Sequence, residues 1–263
     1  MRRQTRNTLL LLLAVVVLAA SALWQVRRED GGTLQPVAQL NAQAVQGILI
    51  RCDGCAPRRF ELAQGRWWMR EPYDLLASDE AVQRLLAIPR APLRKRLAAD
   101  DLDGRKLGLD PAQATLTFQG ASSLQLQFGI TEAINGDRYV RVGGNVLLVP
   151  DRFSGWLFAP PESELDRHLL PPAAHLREVR VDGAVRADLT SAWASAQASR
   201  VVAAAQVTAP TSTQRQIELL ITDQTEPLRF RLSRGEGGYL LQREVPALVY
   251  VFDEAAMQQL LPP

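Results

Sequence analysis

The residues best suited to chemistry are the two cysteines, which form a Cys-x-x-Cys motif at Cys52 and Cys55. In thiol oxidoreductases this spacing places a reactive thiolate at the N-terminus of a helix, where the helix dipole lowers the thiol pKa. Here the pair lies between two strand-like runs, residues 47–51 and 59–62, and encloses an Asp-Gly turn dipeptide. We therefore predict a disulfide that closes a β-hairpin in an oxidising compartment, with a redox enzyme as the alternative.

The other polar candidates do not form a recognisable catalytic or metal-binding motif. The two histidines, His168 and His175, do not have the spacing of zinc ligands, and a calcium loop around Asp100, Asp101 and Asp103 lacks its distal glutamate. No nucleophile elbow, phosphate-binding loop or His-Glu-x-x-His motif is present in the sequence. The sequence predicts no catalytic residue, no cofactor and no metal site. Paired carboxylates of a hydrolase would be distant along the chain, so this alternative stays open.

The amino-terminal segment predicts a membrane anchor. Residues 9–23 form an apolar run that follows Arg2, Arg3 and Arg6 and precedes Trp24. A span of this length covers a hydrocarbon core of about 30 Å, with Trp24 at the headgroups and the three arginines in the cytoplasm. An Ala-Ser-Ala sequence at positions 20–22 makes a cleaved secretory signal the alternative. Both interpretations carry the rest of the chain across the membrane.

Charge and composition argue against a nucleic-acid-binding protein. The 263-residue chain has a formal net charge of +2, but residues 1–26 contain three arginines and no acidic residue. The remainder therefore has 27 basic and 28 acidic residues. Binding to phosphates requires clustered positive charge, so we predict no nucleic-acid partner. With 47% hydrophobic residues, the chain has enough apolar material for one large domain or two small ones.

The body of the chain shows one plan twice, in the order strand, helix, antiparallel meander. Residues 1–26 form the cytoplasmic tip and anchor, and a polar tether follows at 27–43. The first repeat occupies 44–160, a proline-containing linker 161–175, and the second repeat 176–263. The sequence therefore predicts an α+β fold in which one transmembrane helix precedes two tandem β-rich repeats.

Periodicity places the elements within each repeat. We expect a strand over 60–69, in which one of Trp67 and Trp68 is buried and the other lies at the surface or lines a ligand groove. A helix is expected over 78–88, capped by Ser78, and an alanine-rich helix over 189–205. In the meanders, the alternating pattern of residues 124–128 returns at 228–232.

Several of these segments together resemble the DUF4340 family of bacterial envelope proteins. The segments that carry the resemblance lie mainly in residues 45–180 and include Gly65-Arg-Trp-Trp68, Leu107-Gly-Leu-Asp-Pro111 and Arg138-Tyr-Val-Arg-Val142. The resemblance implies an N-terminally anchored protein that is often encoded beside an ABC transporter permease and a gliding-motility-type auxiliary subunit. It implies no known activity and no catalytic residues. The cysteine pair is not expected across that family.

These observations predict a non-enzymatic auxiliary or scaffolding protein of an ABC-type envelope transport system. We expect a single-pass protein of the bacterial inner membrane, with its body in the periplasm. Its partners would be the membrane and a permease or related subunit, contacted through the anchor and an open edge of a meander. The alternatives are a periplasmic enzyme, either a thiol oxidoreductase or a hydrolase, and a lipid- or glycan-binding protein with a groove between the repeats.

Substitution Cys55→Ser separates the structural disulfide from the redox alternative. A thiol oxidoreductase that lacks its second cysteine accumulates mixed disulfides with its substrates, because nothing resolves the first attack. We expect no ladder of mixed disulfides on a non-reducing gel after acid trapping. A reproducible ladder that disappears on reduction would instead establish redox turnover at Cys52.

Overall fold

A computed structural model describes residues 35–98, 102–171, 173–207, 214–222, 224–235 and 237–262. Within these ranges the protein consists of two antiparallel β-sheets with a few short helices, so the predicted α+β class is confirmed. Strand residues alternate between buried and exposed positions, as expected for sheets with one face on the core and one in solvent. The predicted anchor at 1–26 and most of the tether lie outside the described residues. No helix within the described ranges combines the length and the apolarity that a membrane span requires.

The first sheet has nine strands in the order β4-β3-β2-β1-β6-β7-β8-β9-β5. Its strands are β1 Val45–Cys52, β2 Arg58–Ala63, β3 Arg66–Glu71, β4 Leu75–Leu76, β5 Lys95–Leu97, β6 Ala114–Gly120, β7 Leu124–Thr131, β8 Asp137–Val142 and β9 Asn145–Pro150. Helix α1 (Asp79–Ala87) lies between β4 and β5, and helix α2 (Ser154–Leu157) follows β9. The hydroxyl of Ser78 accepts a hydrogen bond from the Ala81 N–H, which confirms the predicted cap of α1.

The second sheet has seven strands in the order β11-β10-β13-β14-β15-β16-β12. Its strands are β10 Leu176–Val181, β11 Ala184–Val185, β12 Arg200–Ala203, β13 Arg215–Ile221, β14 Leu228–Gly235, β15 Gly238–Arg243 and β16 Leu248–Phe252. Helix α3 (Thr190–Ala194) lies between β11 and β12, and helix α4 (Glu254–Leu260) follows β16. Short 3₁₀ turns occur at Ala42–Ala44, Ile88–Arg90, Pro161–Glu164, Ala187–Leu189 and Ala204–Gln206.

The two sheets share a strand order. Six neighbouring strands of the first sheet, β1-β6-β7-β8-β9-β5, have the same connections as β10-β13-β14-β15-β16-β12 of the second. In each sheet the last strand of the meander is followed by an aspartate and a short helix: Asp151 accepts a hydrogen bond from the Ser154 N–H at the start of α2, and Asp253 caps α4 by accepting one from the Ala256 N–H. The alternating segments 124–128 and 228–232 lie in the corresponding strands β7 and β14.

Three predicted elements differ from the structure. The alanine-rich stretch 189–205 forms only the one-turn helix α3, and its second half is strand β12, which pairs with β16 and offers β-branched valines for packing. The strand predicted over 60–69 is two strands, β2 and β3, joined by a turn at Gln64 and Gly65, which both have positive φ. The last strands of the meanders are not open edges, because β5 covers β9 and β12 covers β16.

One continuous hydrophobic core runs through both sheets and the helices beside them. Trp193 of α3 is fully buried in it, and its indole N–H donates a 2.8 Å hydrogen bond to the backbone carbonyl of Leu260 at the end of α4. A buried indole requires such a partner, because an unpaired N–H away from water is costly. This contact fixes α3 against α4 on the second sheet.

Substitution Trp193→Phe removes this hydrogen bond while keeping an aromatic ring. Because the buried Leu260 carbonyl loses its partner and the smaller ring leaves a void, we expect the free energy of unfolding to fall by about 1–3 kcal/mol. Urea denaturation followed by circular dichroism measures this loss. Trp156→Phe is the matched control, since Trp156 is only partly buried. Equal losses in the two variants would contradict the assigned role of the Trp193 hydrogen bond.

Candidate functional site

The segment between the two sheets, residues 161–170, hydrogen-bonds to strand β4 of the first sheet and to the chain just before β12 of the second, and we call it the bridging segment. On the first-sheet side, Leu165 forms a β-bridge with Ala77, and the Asp166 N–H donates to the Leu76 carbonyl. On the second-sheet side, His168 forms a β-bridge with Gln197, just before β12. The sequence predicted a linker over 161–175. In the structure the backbone of residues 161–170 is a 3₁₀ turn followed by extended chain, whose polar groups pair with β4 and with the chain just before β12.

A buried ion pair fastens the bridging segment to the first sheet. Arg58 of β2 is completely buried, and its Nη1 lies 2.7 Å from the Oε1 atom of Glu164. The same guanidinium donates hydrogen bonds to the backbone carbonyls of Trp156 and Leu157 at the end of α2. One arginine side chain thus connects three elements that are distant in sequence.

The electrostatics of this pair are dominated by its removal from water. Burial raises the pKa of the Glu164 carboxyl to about 7, and the positive charges of Arg58 and Arg84 only partly oppose this shift. The Arg58 Nε and Glu164 Oε2 atoms have no hydrogen-bond partner among the described residues. Desolvation is therefore incompletely compensated, which is the common situation of a buried ion pair.

A second buried acidic residue, Glu162, also attaches the bridging segment to the first-sheet side of the protein. The hydroxyl of Tyr73 donates a hydrogen bond to the carboxylate of Glu162, which is itself buried. Burial and the adjacent carboxylate together raise the pKa of Tyr73. The two buried acidic side chains of the 3₁₀ turn are thus bound by Arg58, the first residue of β2, and by Tyr73, which follows β3.

A groove of about 190 Å³ lies beside the bridging segment, where the two sheets meet. Its walls combine apolar and polar side chains and come from both sheets and from the bridging segment itself. The apolar lining residues are Trp68, Leu75, Leu76, Leu169, Leu170, Pro171, Ile221, Leu228 and Tyr250. Trp67, by contrast, is buried, so the expected division of the tryptophan pair between core and surface is confirmed.

Four polar side chains also line the groove, namely those of Asp166, His168, Gln224 and Arg243. The Oδ1 atom of Asp166 lies 2.7 Å from Nδ1 of His168 and also accepts a hydrogen bond from the His168 backbone N–H. An aspartate can orient a histidine in this way for proton transfer, but no serine, threonine or cysteine is among the lining residues. The pair therefore lacks the nucleophile of a hydrolytic triad.

Arg243 occupies a position in β15 that points toward the core. It lies two residues after the fully buried Leu241, so the two side chains are on the same face of the strand. Its Nε donates a 2.8 Å hydrogen bond to the Val245 carbonyl, and its guanidinium also reaches the Tyr250 hydroxyl. Burial raises the pKa of Tyr250, and Arg243 acts in the opposite direction. A guanidinium cation thus lies among the side chains that line the groove.

The predicted disulfide is present, between Cys52 at the end of β1 and Cys55 in the following turn. The Cα atoms are 5.4 Å apart, and the next strand, β2, pairs antiparallel with β1. No helix begins at either cysteine, so no helix dipole lowers a thiol pKa there. This geometry is that of a covalently closed hairpin.

The remaining site residues that the sequence predicted are those of the membrane interface. The membrane-interface residues Arg2, Arg3, Arg6 and Trp24 lie outside the described part of the chain. Within the described ranges no group of three or more His, Cys, Asp or Glu side chains is placed to hold a metal ion. Sequence reasoning missed Arg58, Glu164 and Arg243. The sequence did contain a signal for Arg243. Alternate residues of a strand share a face, so Arg243 is a charged residue on the apolar face that includes Tyr239 and Leu241.

Comparison with known families identifies the family of this chain. A family described as a domain of unknown function, DUF4340, matches residues 67–238, more than half of the chain. The chain belongs to the DUF4340 family. No curated protein and no solved structure matches it significantly.

The DUF4340 match begins in β3 and ends in β15, so it includes the bridging segment and most of the groove. The disulfide-closed hairpin of β1 and β2 lies before it. Arg58 also lies before the matched region, whereas its partner Glu164 lies within it.

Substitution Glu164→Gln tests the electrostatics of the junction. Because the folded-state pKa of Glu164 is above that of the unfolded chain, the native protein binds the extra proton between about pH 4.5 and 7. The contribution of Glu164 to stability is therefore lost as pH rises through this window, by about 3 kcal/mol in total. The glutamine variant should lack this loss.

Urea denaturation at pH 5 and pH 8 measures the difference. At each pH the free energy of unfolding of the variant is compared with that of the unaltered protein. We expect this difference to favour the variant more at pH 8 than at pH 5. Glu71→Gln, which removes an exposed carboxylate paired with Arg59, controls for the change in net charge. A wild-type pH dependence in the Glu164→Gln variant would show that Glu164 does not titrate in this range.

Proposed function

We propose that this DUF4340 protein is a non-enzymatic auxiliary or scaffolding subunit of an ABC-type envelope transport system. The observation that carries the proposal is the bridging segment, whose backbone pairs with β4 of the first sheet and with the chain just before β12 of the second, while Arg58 binds Glu164. Two sheets joined in this way present one fixed surface. A subunit that positions other proteins requires such a surface, since a hinge between the sheets would let the distance between its contact sites vary.

The proposed location is the periplasmic side of a bacterial inner membrane, with a single N-terminal span. Two observations support it. The Cys52–Cys55 disulfide is typical of an oxidising compartment, and the apolar run at 9–23 has arginines on the side expected to stay in the cytoplasm. Retention of the span, as opposed to its cleavage at positions 20–22, is part of the proposal.

We also propose that the body consists of two tandem copies of one unit, residues 44–160 and 176–263. The shared strand order of the two sheets supports duplication, as do the aspartate and short helix after each meander. Tandem copies place similar edges at two sites on one molecule. This arrangement suits a protein that contacts more than one partner.

The partner-binding edge that we propose is β12. It is a terminal strand of the second sheet, so one side of its backbone is not paired with another strand. A cavity of about 350 Å³ runs beside it and is lined by side chains of α1, the bridging segment and β12. By comparison, β4 is covered by the bridging segment, β11 has two residues, and β5 exposes two charged side chains among its three residues, whereas β12 exposes only Arg200 among its four. Exposed charges of this kind disfavour strand addition.

The alternatives have less support in the geometry. A thiol oxidoreductase would need an activated thiol, and neither cysteine lies at a helix N-terminus. A hydrolase based on Asp166 and His168 would need a nucleophile among the residues that line the groove. The third alternative, a lipid- or glycan-binding protein, has a groove between the sheets in its favour, but the groove volume of about 190 Å³ is small for either ligand.

Purification from native membranes tests the proposed role. We expect the tagged full-length protein, extracted in mild detergent, to recover an ABC permease and its ATPase in comparable amounts, as quantified by mass spectrometry. Val202→Lys places a charge at the β12 edge and should reduce this recovery several-fold. Val185→Lys, at the exposed strand β11, is the matched control and should leave the recovery unchanged.

Two results would count against the proposal. Recovery of the protein alone, after crosslinking and in repeated preparations, would exclude a stable transporter partner. Equal recovery with Val202→Lys and with the unaltered protein would exclude β12 as the contact edge while retaining the partner. The two parts of the proposal are thus tested separately.

A further inference from the structure

We propose that the groove between the two sheets binds a small carboxylate whose apolar body is about the size of one aromatic ring. This inference does not depend on the transport role, because it is based on the groove's volume, lining and charge. It names a ligand class for a site that is lined by residues from both sheets and from the bridging segment.

The volume limits the size of the ligand. A cavity of about 150 Å³ lined by aliphatic and aromatic side chains accommodates benzene, whereas pockets for drug-sized molecules begin at about 300 Å³. The groove measures about 190 Å³ and lies between these cases. It fits one ring or a short branched chain and excludes a glycan chain or an entire lipid.

The lining determines how the apolar body would lie. Trp68 and Leu75 form the wall from the first sheet, and Ile221 and Leu228 form the wall from the second. A bound ring would contact both walls and remove apolar surface from water on each side. Trp68 is only partly buried in the protein without ligand, so it has surface left to contribute.

The charge of the ligand follows from Arg243. Its side chain points to the core-facing side of β15, where its Nε donates to the Val245 carbonyl and its guanidinium also contacts the hydroxyl of Tyr250, another residue of the groove. Asp166 is the acidic residue of the lining, and its Oδ1 is already bonded to the backbone and ring of His168. A guanidinium beside an apolar wall selects a carboxylate, which it can bind through two parallel hydrogen bonds.

The probe for this site is 3-phenylpropionate, which carries one ring and one carboxylate. Full-length protein in lipid nanodiscs is titrated by isothermal calorimetry, with empty nanodiscs subtracted because the probe partitions into lipid. We expect saturable binding in the millimolar range or tighter. The uncharged 3-phenylpropanamide lacks the carboxylate that Arg243 would bind, and propionate lacks the aromatic ring. Each should therefore bind at least about tenfold more weakly than 3-phenylpropionate.

Two arginine variants locate the binding site. Arg243→Gln should weaken binding of 3-phenylpropionate by about tenfold or more, because it removes a charge-assisted hydrogen bond. Arg231→Gln is the matched control: Arg231 lies on the opposite face of the second sheet, is paired with Glu244, and should bind the probe normally. Circular dichroism establishes that each variant is folded before titration.

Three results would overturn the proposal. They are the absence of saturable binding above empty nanodiscs, equal binding of the acid and its amide, and equal affinity in the two arginine variants. The comparison of acid, amide and propionate uses the unaltered protein. It therefore decides the question even if Arg243→Gln does not fold.

Discussion

The arrangement of this protein depends on one guanidinium group that is completely removed from water. Arg58 reaches from β2 to the end of α2 and to Glu164 of the bridging segment. A buried arginine keeps its charge, so the chain must supply acceptors around it, and here these are two backbone carbonyls and one carboxylate. The path of residues 156–164 follows from that requirement. The bridging segment then continues directly from this point to the second sheet.

Because the bridging segment is held on both sides, the space beside it has a defined shape. The groove is formed where Leu75 and Leu76 of one sheet approach Ile221 and Leu228 of the other, with Leu169 between them. If the segment were a loose linker, these walls would have no fixed separation. A buried polar contact with little net stabilisation can still specify a single arrangement, and we interpret the Arg58–Glu164 pair in this way.

Local patterns were sufficient for some elements and misleading for others. The helix over 79–87 was predictable because its cap, acidic first turn and apolar spacing all agree. Residues 189–205 were predicted as helix because alanine has a high helix propensity. In the structure the pairing of Val201 and Val202 with β16 outweighs that propensity and makes this part of the segment a strand. The turn at Gln64 and Gly65 was missed because apolar residues continue on both sides of it.

The sequence by itself determined the α+β class, the family, the disulfide-closed hairpin and the repetition of one element order, since each is encoded in short segments or in their succession. Only the tertiary structure decided where the chain crosses between the sheets, which edges stay unpaired and which polar residues meet in the groove. Arg58 and Glu164 are 106 positions apart, and Arg243 meets residues of the bridging segment more than seventy positions earlier. Spacing along the chain carries no information about such contacts, because they form only when separate apolar faces are buried together.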